Sequence, residues 1–122
     1  MVTIFSESKL TEVYLAKHKL VPGTGKEDWL HWSEELKKRE AEVVRTLRQE
    51  GVHLEACFLS EDEESVYYFL EVENLEKAYE VFEKSKLSID RDHEKVRNSS
   101  FESSVYLKNL FVFRNPDFSS KS

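Results

Sequence analysis

Residues 24–51, TGKEDWLHWSEELKKREAEVVRTLRQEG, decide how the rest of the chain can fold. Trp29, Trp32, Leu36, Val43 and Leu47 recur at helical spacing, with Leu30, Ala41 and Val44 at the flanks. Such a stripe is the apolar side of one long helix. Thr24 and Glu27 have the spacing of a capping box, each side chain serving an orphan backbone donor of the other's turn. Pro22-Gly23 halts the segment before it, and Gly51 suits the left-handed position after a helix end. Glu34 with Lys38, and Glu35 with Arg39, add acid-before-base pairs on the wet side. Glu40 stands where the stripe calls for an apolar residue, so it needs a partner or a cavity.

On either side of this helix the pattern changes to alternation, the mark of strands. Thr11 to Val21 places Val13 and Leu15 on one face and Tyr14, Ala16, His18 and Leu20 on the other. Val52 to Ser60 places Val52, Leu54, Ala56 and Phe58 on one side, and His53, Glu55, Cys57 and Leu59 on the other. The acidic EDEE at 61–64 reads as a hairpin tip, which makes Ser65 to Glu73 antiparallel to the strand before it. In that third strand Val66, Tyr68, Leu70 and Val72 oppose Tyr67, Phe69 and Glu71. Asn74 is a good N-cap for a second helix, LEKAYEVFEKS, striped by Leu75, Ala78, Tyr79 and Phe82. Residues 87–101 read as a loop entering a short helical turn around Asp90 to Val96. Ser104 to Arg114 reads as the last strand, ended by Asn115-Pro116.

The order β-α-β-β-α-β is the ferredoxin-like arrangement: α+β, one four-stranded antiparallel sheet with two helices on one face. A single domain over 10–115 is expected, with flexible termini at 1–9 and 116–122. Both faces of the central strands carry apolar side chains, so the face without helices would be a large exposed patch on a monomer. A second copy packed sheet against sheet would cover it, giving a two-fold homodimer, the dimeric α+β barrel.

Composition limits the partners. A net charge of -6 and a pI near 5.3 disfavour nucleic acid and anionic membranes, which need clustered Lys and Arg. The single cysteine, Cys57, has no internal disulfide partner and suits a reducing compartment. It reads as a small buried hydrophobe, with no cation nearby in sequence to activate it. The opening MVTIFSESKL lacks the pattern of a signal peptide, and no apolar run approaches the ~20 residues of a membrane span. A cytoplasmic protein without a membrane partner is expected.

Four stretches carry a resemblance: PGTGKEDW after the first strand, KKREAEVVRTLRQEG closing the helix, VHLEACFL, and SIDRDH after the second helix. Through them residues 12–97 resemble a small bacterial and archaeal family of unassigned activity within the dimeric α+β-barrel superfamily. That superfamily includes antibiotic-biosynthesis-type monooxygenases, haem-degrading enzymes, stress-responsive barrel proteins and sugar mutarotases. The resemblance implies the fold and a dimer, and no particular reaction, because one fold hosts many chemistries.

Candidate chemistry falls on a few residues. His18 shares a strand face with Tyr14 and Ala16 and is either a general acid/base or a partly exposed histidine near a strand end. Glu55 and Glu71 sit mid-strand on adjacent strands and, by alternation, on one face, as a carboxylate pair of raised pKa or as salt-bridge partners of Lys17, Lys108 or a dimer mate. Asp90 and His93, three apart, project from one side of a turn, with Asp90 orienting His93 as acid/base or merely capping the turn. Trp32 and Tyr68 are candidate walls of a ligand pocket; Trp29 and Trp32 serve equally well as plain core. No His or Cys pair has zinc-ligand spacing, so no metal and no cofactor are expected.

Two functions compete. One is a homodimer with a pocket between helices and sheet, binding a small organic molecule and using His18, Glu55, Asp90 and His93 for isomerisation, epimerisation or cofactor-free oxidation. The other is a non-catalytic protein–protein interaction module using the long helix or the acidic tip. A cavity between helix and sheet separates the first from the second.

Overall fold

The computed structural model describes residues 11–118; the ends expected to be flexible therefore fall mostly outside the described residues, with 116–118 forming a short 3-10 turn. The elements run β1 (Glu12–Leu20), α1 (Gly25–Lys38), α2 (Glu40–Glu50), β2 (Val52–Leu59), β3 (Ser65–Val72), α3 (Leu75–Lys84), α4 (Ser88–Ser100) and β4 (Phe101–Tyr106). The strands form one antiparallel sheet in the order β2-β3-β1-β4, as the ferredoxin-like arrangement requires.

The long helix is two helices. The chain leaves helical geometry at Arg39 (φ -111, ψ 35) and resumes at Glu40. Neither Gly nor Pro causes this. Arg39 instead spends its guanidinium across elements, binding Glu42, Asp92 of α4 and Ser88 Oγ, and it lies over the Trp32 ring. The break leaves Glu40 exposed at the start of α2, which removes its conflict with the apolar stripe. The expected capping box does not form, since Thr24 is itself in the helical region and makes no side-chain cap bond. The expected i,i+4 pairs are replaced by Lys37–Glu34 and by the Arg39 contacts. Gly51, at φ 72, does close α2, and Asn74 does cap α3 by accepting from Lys77 N at 2.9 Å.

Two further segments differ from the sequence expectation. Residues 88–100 form a full helix rather than a short turn, and its first residues are anchored by Arg39 from outside. The last strand begins at Phe101 and stops at Tyr106; Leu107 to Asn115 runs on as irregular, exposed chain. α4 passes directly into β4, and Ser100 O accepts from Val21 N at 2.8 Å. Gly25 is needed here, because a Cβ on it would lie 2.6 Å from Ser100 O.

All the helices cover one face of the sheet. Leu20, Trp29, Trp32, Val66 and Ile89 form one packed cluster, and Val52, Val72 and Ala78 a second. On the other face Leu54, Phe58, Val105 and Leu107 stay exposed, Phe58 by 59%. A bulge in β2 sets this division. Val52 pairs with Val72 and Leu54 with Glu71, so His53 is the extra residue and the alternation flips. Val52 therefore points to the helices while Leu54 and Phe58 point away, contrary to strict alternation.

Candidate functional site

The same bulge places Glu55 and Cys57 under the helices. Glu55 pairs with Leu70 and Cys57 with Tyr68, on the face that carries Val66 and Val72. Glu71 lies on the outer face, where it accepts from Thr11 Oγ1 and pairs with Arg114 at 3.1 Å. The two glutamates do not form a pair, because one extra residue in β2 turned Glu55 over.

Between the two core clusters lies a cavity of about 430 Å³ whose walls include His18, Glu55, Tyr68, Asp90 and His93. Each comes from a different constraint. His18 follows Ala16 on the buried side of β1; it is 6% exposed, not the half-wet strand-end residue that was the alternative. Tyr68 is on the neighbouring β3. Asp90 and His93 lie one turn apart on α4, and Arg97 continues the same side a turn later.

His93 is fixed by Trp32. The indole Nε1–H donates to His93 Nδ1 at 2.9 Å. An indole nitrogen can only donate, so Nδ1 of the neutral ring is bare and the proton sits on Nε2. Among the described residues nothing accepts from Nε2. Trp32 is thus more than core: it selects the tautomer. Trp29, Tyr68 and Phe82 pack edge-on around the imidazole. Burial, with the nearby Arg97 charge and His18, pushes the His93 pKa down to about 3.

Asp90 does not orient His93. Its carboxylate accepts from Thr46 Oγ1 at 2.8 Å and from Ser85 Oγ, and the residue capping α4 is Leu87. Asp90 instead ties α4 to α2. The same Thr46 hydroxyl lies 3.1 Å from Glu50 Oε2. A hydroxyl carries one proton, so with that proton given to Asp90, Glu50 bonds Thr46 only as the protonated acid. Burial and the Asp90 charge push Glu50 up to about 7, which agrees with that proton count.

Tyr68 donates its hydroxyl proton to Glu55 Oε2. Burial raises the Glu55 carboxyl above its ordinary pKa, and burial together with Glu55 raises the Tyr68 hydroxyl well above its own. His18 Nδ1 lies 2.6 Å from Ser104 Oγ, and its ring stacks on Phe101 at 4.3 Å. Burial, then Arg97, lowers the His18 pKa to about 4. Two imidazoles neutral at pH 7 therefore face a carboxyl whose proton affinity is raised.

Cys57 is exposed rather than buried as expected, because β2 is an edge strand; its sulfur accepts from Trp29 Nε1 at 3.4 Å. Sequence reasoning missed Glu50, Thr46 and Arg97. The i,i+4 spacing of Thr46 and Glu50, and the i,i+7 spacing of Asp90 and Arg97, were the available signals. Among the described residues no three His, Cys, Asp or Glu side chains gather as a metal-binding group, and no helix is long and apolar enough to cross a membrane.

Residues 11–118 match a family of unknown function, DUF6176. The chain belongs to that family. Among curated proteins none matches it. Solved structures similar to this DUF6176 member are low in identity. An L-rhamnose mutarotase from Formosa agariphila is 16% identical with a TM-score of 0.60, over 84% of this chain and 99% of that one. A candidate antibiotic biosynthesis monooxygenase from Bacteriodes thetaiotaomicron VPI-5482 is 13% identical with a TM-score of 0.58, over 84% and 90%. A Pseudomonas aeruginosa protein is 15% identical with a TM-score of 0.54, over 85% and 97%. These likenesses give the fold: the ferredoxin-like reading and the resemblance drawn from the sequence both hold at that level.

Proposed function

We propose that this protein binds a small organic molecule in the cavity between helices and sheet and moves a proton on it. The observation that carries this reading is the Trp32–His93 bond, which leaves an N–H donor on the cavity wall with no acceptor among the described residues. His93 then serves as the hydrogen-bond donor that stabilises charge developing on a ligand oxygen, rather than as the base, since Trp32 takes the Nδ1 lone pair and Nε2 already carries the ring proton. Glu55 takes the proton: its carboxyl has raised proton affinity and is held in place by Tyr68. The proton leaves a C–H or O–H of the ligand for Glu55 and returns at the other face or a neighbouring atom, an isomerisation or epimerisation with nothing oxidised. Cofactor-free oxygenation would begin with the same deprotonation, with dioxygen as oxidant. A mutarotase and a candidate monooxygenase among the similar folds are compatible with either course. His18 and Asp90 border the same space, His18 as a second neutral imidazole and Asp90 as the anchor of α4. An interaction module has no use for a cavity lined this way.

Solvent hydrogen exchange tests it. A panel of aldoses and 2-oxo acids incubated in D2O with the protein should show catalysed C–H exchange or anomer interconversion by NMR. Glu55→Gln should slow it by roughly 10²–10⁴-fold. Equal rates with the wild type, the variant and no protein across the panel would remove the catalytic reading.

The same proposal includes a homodimer, sheet to sheet. Support comes from the exposed outer face, with Leu54 and Phe58 on one edge strand and Val105, 55% exposed, on the other, and from the exposed Leu110, Phe111 and Phe113 of the chain beyond β4. Sedimentation should give twice the 14.4 kDa of one chain, and Phe69→Asp, which puts a charge on that face, should give monomers. A wild-type monomer at micromolar concentration would overturn the dimer.

A further inference from the structure

We infer that the molecule this cavity takes carries a carboxylate, and that Arg97 receives it. Arg97 lines the cavity and also borders a small surface hollow with Phe101, Glu102 and Ser104, so the residue stands at the mouth, between the interior and solvent. It is half-buried, and among the described residues it has no hydrogen bond, ion pair or ring to lie on. The other arginines of the helical layer that border the interior are used: Arg39 holds Glu42 and Asp92, and Arg91 holds Glu94 and Phe82 O. A guanidinium offers five donors, and leaving them unpaired in a partly dehydrated place costs free energy that an anion would recover.

The acids around it are already committed elsewhere. Asp90 is bound by Thr46 and Ser85, Glu55 by Tyr68, and Glu102, on the same hollow as Arg97, lies 4.0 Å from Lys19; Glu55 feels the Arg97 charge, but none of the three forms an ion pair with it among the described residues. His18 and His93 are neutral near pH 7, so they add no positive charge at the mouth. A single planar fork beside apolar and aromatic walls matches one planar, singly charged carboxylate bound through two parallel N–H···O bonds. A phosphate dianion would bring a second negative charge to a hollow that Glu102 already borders. The rest of such a molecule would extend inward past His18 toward the His93 Nε2–H. This rests on the cavity being a ligand site, as proposed above, and not on its catalysing a reaction.

Benzoate and benzamide, two molecules of the same shape that differ in charge, are suitable probes, with inorganic phosphate as competitor. Binding is followed by shifts of the His18 and His93 ring resonances. Benzoate should bind the wild-type protein roughly tenfold or more tightly than benzamide, and Arg97→Gln should abolish that preference while Arg97→Lys keeps part of it. The comparison of the two probes on the wild type does not depend on any variant folding. If benzamide binds as well as benzoate, the cavity remains a ligand site and the carboxylate inference falls. If inorganic phosphate displaces benzoate at lower concentration than benzoate itself requires, the anion is a phosphate and the inference also falls. If neither probe perturbs the histidines, the inference falls together with the cavity reading.

Discussion

Replacing Trp29 by alanine is expected to lower the unfolding free energy by about 3–5 kcal/mol. The indole is 2% exposed, packs against Phe101 with ring centroids 4.6 Å apart, and meets Tyr68 and His93 edge-on. Its N–H goes to the Cys57 sulfur. Alanine removes one of the two indoles of the cluster that joins α1 to the sheet, and the rigid sheet beneath cannot collapse to fill the hole. Since a domain of this kind holds only about 5–15 kcal/mol in total, the loss is a large share of it. Urea denaturation measures it from the midpoint, with the slope unchanged if the folded state stays compact. Trp29→Phe, which keeps an aromatic ring, should cost much less. A loss below about 1 kcal/mol for the alanine variant would mean that Trp29 is not the packing centre described above.

Acidification is expected to unfold the protein through its two cavity histidines. In the unfolded chain each imidazole takes up a proton near its ordinary 6.5; folded, His18 does so only near about 4 and His93 near about 3. The unfolded state therefore binds more protons in the interval, and stability present above pH 6.5 is lost as pH falls toward 3. At about 1.4 kcal/mol for each pH unit of difference, the pair is worth at most on the order of 8 kcal/mol. Glu50 acts in the opposite sense between its ordinary 4.5 and about 7, where the folded state holds the extra proton, and its partial exposure reduces its effect. The decline should thus be shallow from pH 6.5 to 4.5, steepest just below 4.5, and shallower again once His18 is charged near 4. His18→Phe, which preserves a ring against Phe101 but cannot titrate, should flatten the profile of urea midpoint against pH. A profile of the same slope in wild type and variant would show that His18 is not held neutral.

These two effects meet in one place, because the cluster that keeps Trp29 dry also keeps the imidazoles uncharged. The site is in this sense a by-product of core building on one side of the sheet. Where β1, β2, β3 and α4 put polar residues into an otherwise apolar layer, those residues are forced to find one another or a ligand. His93 finds Trp32, Glu55 finds Tyr68 and Asp90 finds Thr46, which leaves the His93 Nε2–H and Arg97 on the cavity wall without a hydrogen-bonded partner among the described residues.

Much of this was readable from residue order. The alternation in 11–21 and 65–73, the stripe of Trp29, Trp32, Leu36, Val43 and Leu47, Asn74 as a cap and Gly51 as a stop all depend on chemistry within a few residues, which a sequence carries in full. The order of those elements then left one economical way to cover a four-stranded sheet. Residues 88–100 were misread because their helix leans on Arg39, which lies far away along the chain; their own polar sequence carries too weak a stripe to announce it.

Pairing across the fold was another matter. The bulge at His53 depends on how β2 meets β3, and it alone decides that Glu55 faces the cavity while Glu71 faces away. Asp90 and His93 share a side of α4 by sequence, yet their partners, Thr46 and Trp32, come from α2 and α1. Local propensity and periodicity fix which residues can share a face, since they act through neighbouring turns of the same chain. Which hydrogen each polar group finds is set by packing between elements, and only the tertiary structure brings those elements within bonding distance.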